Sequence, residues 1–348
     1  MRKIEINGKT YSDETLPYVI AEIGHNHQGN IETALEMIKV AAESGASAVK
    51  FQKRNNKKLF TTNGYNAPYL SENSFGSTYG EHRDALEFSK KEYEICIAQA
   101  KKYNVDFFAT AFDFDSTDFL LDLDVPAFKV ASGDLKSVQL IEYIARTGKP
   151  MIISTGGGEM EHIRNAISIA LKHNSNVAIL QCTAGYPPAY EELNLKVIET
   201  LREEYSDVIV GYSGHDSGIA MAVVAYVLGA RVIEKHFTLN RTMKGTDHAF
   251  SLEPLGFSKM IRDIKRTSLA LGSGVKQVYE SERAPLTKMG KSLYFSRDLE
   301  RGAKINLSDL SFKSPALGIA PCDAEKVLGK ILKVGVKEDD LVTYELLD

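Results

Sequence analysis

The sequence predicts an α/β fold: a closed (β/α)8 barrel over residues 1–275, a linker over 276–289 and a small β-rich domain over 290–348. Three observations carry that expectation. Eight short β-rich runs alternate with helical patterns through the first three quarters of the chain. Most runs are continuously apolar before a polar end, as in parallel strands buried on both faces. The turn after the first run reads GHNHQG, not the GxGxxG that an open doubly wound sheet would more often carry.

The runs are YVIAEI (18–23), AVKFQ (48–52), VDFFAT (105–110), AFKVAS (127–132), MIIST (151–155), VAILQC (177–182), VIVGYS (208–213) and VIEKHF (232–237). Between them, Ile31 to Glu43 forms a helical pattern behind Asn30, a good N-cap residue. Met160, Ile163, Ile167, Ala170 and Leu171 recur at helical spacing and mark one apolar face. Arg54 to Ser89 breaks the rhythm; its length and its Asn, Tyr, Gly and Ser content read as a functional loop. The helical pattern ends near Leu271-Gly272-Ser273-Gly274, and the last 60 or so residues carry short strands and turn signals. So small a unit has little core and is expected to dock on the barrel of its own or a partner chain.

Charge narrows the function classes. The 348 residues carry 42 Lys plus Arg against 46 Asp plus Glu, a net charge of -4. No global basic field draws nucleic acid or an anionic membrane, so an anionic ligand needs a local cluster of cations. Cys96, Cys182 and Cys322 are too scattered for a disulfide framework or a CxxC zinc site. The N-terminal segment has no apolar core of the signal-peptide kind, and Ile219 to Leu228 is too short for a span of about 20 residues. A cytoplasmic protein without nucleic-acid or membrane partners is expected.

In a (β/α)8 barrel the chemistry sits at the C-terminal strand ends. Those ends here supply Glu22 with His25 and His27; Lys50, Gln52 and Lys53; Lys129, Ser132 and Asp134; Ser154 and Thr155; Gln181, Thr183 and Tyr186; Ser213 and His215; Glu234 and His236. His215 and His236 end adjacent strands and could share a divalent metal, leaving positions open for substrate; the plainer alternative is that each bonds a neighbouring backbone group. Lys50, Lys129, Ser132, Ser154 and Ser213 suit a phosphate and a carboxylate, and Glu22 and Asp134 could bind sugar hydroxyls or move protons. A rival reading makes Lys129 the Schiff-base lysine of an aldolase, which would need no metal pair. His27 could be a structural hydrogen-bonder, His162 and His173 are expected in solvent, and His248 lies near the mouth.

The segments AEIGHNHQG (21–29), VKFQK (49–53), FKVASGD (128–134), ISTG (153–156), QCTAGYP (181–187), GYSGH (211–215), GARVIEKHFTL (229–239) and KGTDHAFSLEP (244–254) closely resemble the sialic acid synthase (N-acetylneuraminate synthase) family. The tail resembles that family's antifreeze-like (SAF) domain. The resemblance implies condensation of phosphoenolpyruvate with N-acetylmannosamine or its 6-phosphate, releasing phosphate, in a homodimer with swapped SAF domains. It implies that His215 and His236 hold Mn²⁺ or Mg²⁺, and that Lys50, Lys129, Ser132, Ser154 and Ser213 bind phosphoenolpyruvate. Glu22, Gln52, Asp134, Tyr186 and Asp247 would face the amino sugar. Glu22, Lys50, Lys129 and Asp134 are thus the expected catalytic residues; Gln52, Lys53, Ser132, Ser154, Thr183, Tyr186, Ser213 and Asp247 are the expected substrate contacts. Asp134 stands where many bacterial members carry Glu, and Ala184 and Ser314 stand where some of them carry Asn and Arg. With FQK and TYGEHRDALEFS (78–89), these departures resemble animal-type enzymes that take the 6-phosphate, which Lys53, Arg54 or Arg83 would meet. Alternatives are a synthase of legionaminic, pseudaminic, keto-deoxynonulosonic or 3-deoxy-octulosonate-type acids, or a non-catalytic carbohydrate- or ice-binding protein using the tail.

Overall fold

A computed structural model describes residues 2–348. The chain opens with an antiparallel hairpin, β1 (Lys3–Ile6) and β2 (Lys9–Ser12), around Asn7 and Gly8. Both turn residues have positive φ (50° and 72°), the geometry that makes Asn-Gly a hairpin signal. Ile4 and Ile6 are fully buried in the core of the barrel unit. Asn7 donates to Asp106 at the start of a barrel strand, so the hairpin lies at the N-terminal strand ends. This hairpin was not anticipated from the sequence, although its signal is there.

All eight expected barrel strands are present: β3 (Tyr18–Gly24), β4 (Ala48–Lys53), β5 (Asp106–Ala111), β6 (Phe128–Val130), β7 (Met151–Ser154), β8 (Val177–Cys182), β9 (Ile209–Gly214) and β10 (Val232–His236). They are parallel and close in the order β10-β3-β4-β5-β6-β7-β8-β9. Helices surround them: α1 (Ile31–Glu43), α2 (Asn56–Leu59), α3 (Thr62–Tyr65), α4 (Tyr79–Asp84), α5 (Lys90–Lys102), α6 (Phe114–Asp122), α7 (Val138–Arg146), α8 (Met160–Leu171), α9 (Val197–Glu204), α10 (Ala220–Val227) and α11 (Pro254–Ala270). Asn30 caps α1 by accepting from the Thr33 N–H at 2.9 Å. On α8 the buried face is Ile163, Ala166, Ile167 and Ala170; Leu171, expected there, is instead 40% exposed because it closes the last turn. The excursion after β4 is folded into α2, α3 and α4 and is not open loop.

The chain divides into two compact units, Met1–Leu271 and Gly272–Asp348. The second contains α12 (Glu280–Met289), which occupies most of the segment expected as a linker, and an antiparallel pair, β11 (Ser292–Phe295) with β12 (Leu310–Lys313). Its own core gathers Leu293, Phe295, Ile305, Val327, Leu332, Val342 and Leu347. No helix among the described residues is long and apolar enough to cross a membrane.

Candidate active site

Strand register brings the ionisable residues together. Glu22 stands beside Lys50 on β4 and His236 on β10; Gln52 stands beside Thr110, and Thr110 beside Lys129. Alternation then turns every second side chain to the barrel interior. The result is a cavity of about 540 Å³ at the C-terminal strand ends, lined by Glu22, Lys50, Gln52, Lys129, Ser132, Ser154, Tyr186, Ser213, His215, His236 and Asp247 among the expected residues. A second cavity of similar size opens at the N-terminal strand ends, where Lys149 is already paired with Asp124.

Buried charge is concentrated in the first cavity. Lys50 Nζ lies 2.6 Å from Glu22 Oε2 and 3.6 Å from Glu234 Oε1, and donates to Thr110 Oγ1 at 2.8 Å. Gln52 donates to Glu22 Oε1 at 2.8 Å. Lys129 Nζ donates to the Val130 carbonyl at 2.8 Å, and its burial lowers its pKa from the ordinary lysine value. Burial, opposed by Lys50 and aided by Glu234, raises Glu22; in Glu234 the pull of Lys50 and Lys129 overcomes burial and lowers it. Of the two coupled carboxyls, Glu22 therefore holds a proton more readily.

The His215 and His236 ring centroids are 5.3 Å apart, and Tyr186 covers His215 at 4.1 Å. His215 donates from Nδ1 to the Thr183 carbonyl at 3.0 Å, which leaves its Nε2 lone pair available. Burial, with His215 and Lys50 nearby, holds His236 well below its ordinary pKa, so it is neutral. Its Nδ1 finds no hydrogen-bond partner among the described residues, nor do Ser154 Oγ and Glu234 Oε2. Two adjacent imidazoles, one with an unpartnered Nδ1 that faces the Asp247 carboxylate at 3.8 Å, fit a divalent metal that would leave positions open for substrate and water. Among the described residues no third His, Cys, Asp or Glu completes a protein-only cage.

Three expected residues are not in this wall. Lys53 follows the inward Gln52 and so turns out of the barrel, to Glu87 at 2.8 Å and the Phe88 carbonyl at 3.1 Å. Thr183 spends its hydroxyl on the Glu192 carbonyl at 3.0 Å and serves the site through the carbonyl that holds His215. Asp134 sits on a 3-10 turn after β6, bonded by the Ser137 hydroxyl at 3.3 Å, and burial raises its pKa to about 6. His27 is stacked on Phe51 and Phe88 and accepts from the Gly29 N–H, a structural role. His248 is buried against Thr238 Oγ1 at 2.7 Å, His162 caps α8 and His173 is exposed.

Glu234 belongs to the site although it was not singled out as catalytic; its place two residues before His236 on one strand is the signal for it. Arg54, Arg83 and His25 also line the cavity. Arg54 Nη1 is 3.3 Å from His25 Nε2 and Arg83 Nη1 is 3.4 Å from His25 Nδ1. Burial, then both arginines and His27, keep His25 neutral, so it has one lone pair for two guanidinium groups. Arg54 stacks on Phe112 at 3.6 Å, and Arg83 donates to Tyr79. Neither arginine forms an ion pair with a carboxylate among the described residues; burial and Arg83 pull Arg54 down to about 10.

Comparison with known proteins agrees with this geometry. A model of the NeuB family matches residues 37–276, and a model of the SAF domain matches residues 290–348. The chain is 40% identical to a Homo sapiens protein named N-acetylneuraminate-9-phosphate synthase, over 95% of this chain and 92% of that one. It is 36% identical to N,N'-diacetyllegionaminic acid synthase of Campylobacter jejuni, over 93% and 98%. The crystal structure of N-acetylneuraminic acid (sialic acid) synthetase from Leptospira borgpetersenii, in complex with citrate, superposes with a TM-score of 0.71 at 32% identity, over 82% of this chain and 95% of that chain.

Proposed function

The chain belongs to the NeuB family of sialic-acid-synthase-type enzymes, and from that premise we propose that it condenses phosphoenolpyruvate with N-acetylmannosamine 6-phosphate, releasing phosphate. The observation that carries the choice of sugar is the arginine pair. Lys50 and Lys129 suit the phosphate and carboxylate of phosphoenolpyruvate, while Arg54 and Arg83 form a second cationic group without a carboxylate partner among the described residues, suited to a second phosphate.

In this reading the methylene carbon of phosphoenolpyruvate forms a bond to the open-chain aldehyde carbon, and the aldehyde oxygen takes up a proton. Water adds to the oxocarbenium-like carbon left behind, and the tetrahedral intermediate expels phosphate by C–O cleavage to leave a ketone. Lys50 and Lys129 stabilise the anionic groups throughout. Glu22, the more easily protonated of the coupled carboxyls, moves the protons, and Glu234 stays ionised between the two lysines. Asp134 follows the lining residues Ser132 and Gly133 but is not itself in the cavity wall, and it is assigned no proton transfer. His215 and His236 would hold Mn²⁺ or Mg²⁺, which when bound supplies Lewis-acid polarisation of a carbonyl oxygen. A homodimer with exchanged SAF domains is part of the same reading, checked by molar mass in sedimentation.

The test is phosphate release from phosphoenolpyruvate with N-acetylmannosamine, its 6-phosphate and the legionaminic and pseudaminic precursors side by side. Preference for the 6-phosphate supports the proposal, and equal turnover of the free sugar defeats it. Preference for a different aldose keeps the condensing chemistry and moves the chain to a neighbouring synthase of the family.

A further inference from the structure

A buried ion pair lies just outside the cavity, between the strands that carry the two histidines. On β10 the inward positions are Glu234 and His236, so Lys235 faces away from the barrel interior. Its register partner is Gly214, the residue before His215. From there its Nζ donates to the Asp216 carbonyl at 2.5 Å and to Asp216 Oδ1 at 2.9 Å. The same carboxylate oxygen accepts from the Tyr212 hydroxyl at 2.6 Å. Lys235, Asp216 and Tyr212 are each only 1% exposed. Nothing larger than glycine fits at 214: a Cβ there would lie 2.4 Å from Tyr212 Cε1 and 2.7 Å from Asp216 Oδ1.

We propose that Lys235 and Asp216 are positioning residues that fix the spacing of the His215 and His236 imidazoles. One contact ties the backbone just after His215 to the residue just before His236, so the two rings cannot move apart independently. The Thr183 carbonyl sets the rotation of the His215 ring, and the ion pair sets where its backbone stands. Stability alone does not account for the pair. A buried ion pair breaks about even with an apolar replacement, so its value lies in geometry.

The inference rests on the reading of His215 and His236 as the metal pair, so the experiment reads metal binding directly. Mn²⁺ affinity is measured by electron paramagnetic resonance on the full chain without substrate, with thermal melts of every variant. Lys235→Met and Asp216→Asn are expected to bind Mn²⁺ at least tenfold more weakly at temperatures where both remain folded. Lys235→Arg, which keeps the cation and its donors, is expected within about threefold of the parent. The double variant Lys235→Met with Asp216→Leu removes both charges, restores the melting point and is still expected to bind weakly. Parent-like affinity in the folded single and double variants would show a purely structural pair and overturn the inference. If the parent itself binds no Mn²⁺, the metal reading fails and this inference fails with it.

Discussion

Lys50 Nζ stands 2.6 Å from Glu22 Oε2, across two strands whose register makes the residues direct neighbours. Glu234 approaches the same ammonium at 3.6 Å, so one buried cation serves two carboxylates. Glu22→Gln keeps the side-chain shape and removes the proposed proton carrier. Its kcat is expected to fall by about 10²- to 10⁴-fold while KM for phosphoenolpyruvate changes much less. Steady-state phosphate release checks this, and an equal rise in KM with unchanged kcat would reassign Glu22 to binding.

Arg83 reaches the cavity from α4 and is held by Tyr79 rather than by a carboxylate. Arg83→Ala is expected to raise KM for the 6-phosphorylated sugar about tenfold or more and to leave KM for the free sugar nearly unchanged. Comparing the two sugars in the same variant separates a lost phosphate contact from general damage.

Acid stability follows from buried histidines. Burial lowers His27 from 6.5 to about 3 in the folded chain, while the unfolded chain keeps the ordinary value. The stability tied to its neutral form is complete above pH 6.5 and is lost as pH falls from 6.5 towards 3. The expected slope for this one group is about 1.4 kcal/mol per pH unit. Urea unfolding at several pH values should show a shallower acid dependence for His27→Gln, even though its stability at neutral pH is lower.

Gly29 adopts φ of 69°, and a Cβ there would lie 2.1 Å from the Ala85 carbonyl oxygen. This contact packs the loop carrying His25 and His27 against the chain just after Arg83. Gly29→Ala combines left-handed strain with a backbone clash and is expected to cost at least about 2 kcal/mol. Denaturant titration measures it, with a rise in KM for the phosphorylated sugar as the second sign.

The barrel was legible because buried parallel strands leave a plain mark: apolar bodies with polar ends. Those ends also carried most of the cavity wall, including the histidine pair. Lys53 was misplaced although the alternation through Lys50 and Gln52 already turns it outward. Asp134 lies on a turn where no alternation fixes the side chain. Arg83 was reachable only through the family resemblance, whereas Phe75 and His82, from the same excursion between β4 and α5, are returned to the mouth by tertiary folding alone. The linkage of Lys235 to Asp216 is invisible for the same reason, since neither residue follows a spacing that announces the other.

The most direct test of the central claim is phosphate release from phosphoenolpyruvate with Mn²⁺ and N-acetylmannosamine 6-phosphate, run on the parent chain and on Lys50→Met. The parent is expected to release one phosphate per nine-carbon phosphorylated sugar acid formed, and the variant to lose turnover by about 10³-fold or more while remaining folded. Undiminished release in folded Lys50→Met, or no sugar-dependent release by the parent, would contradict catalysis in this cavity.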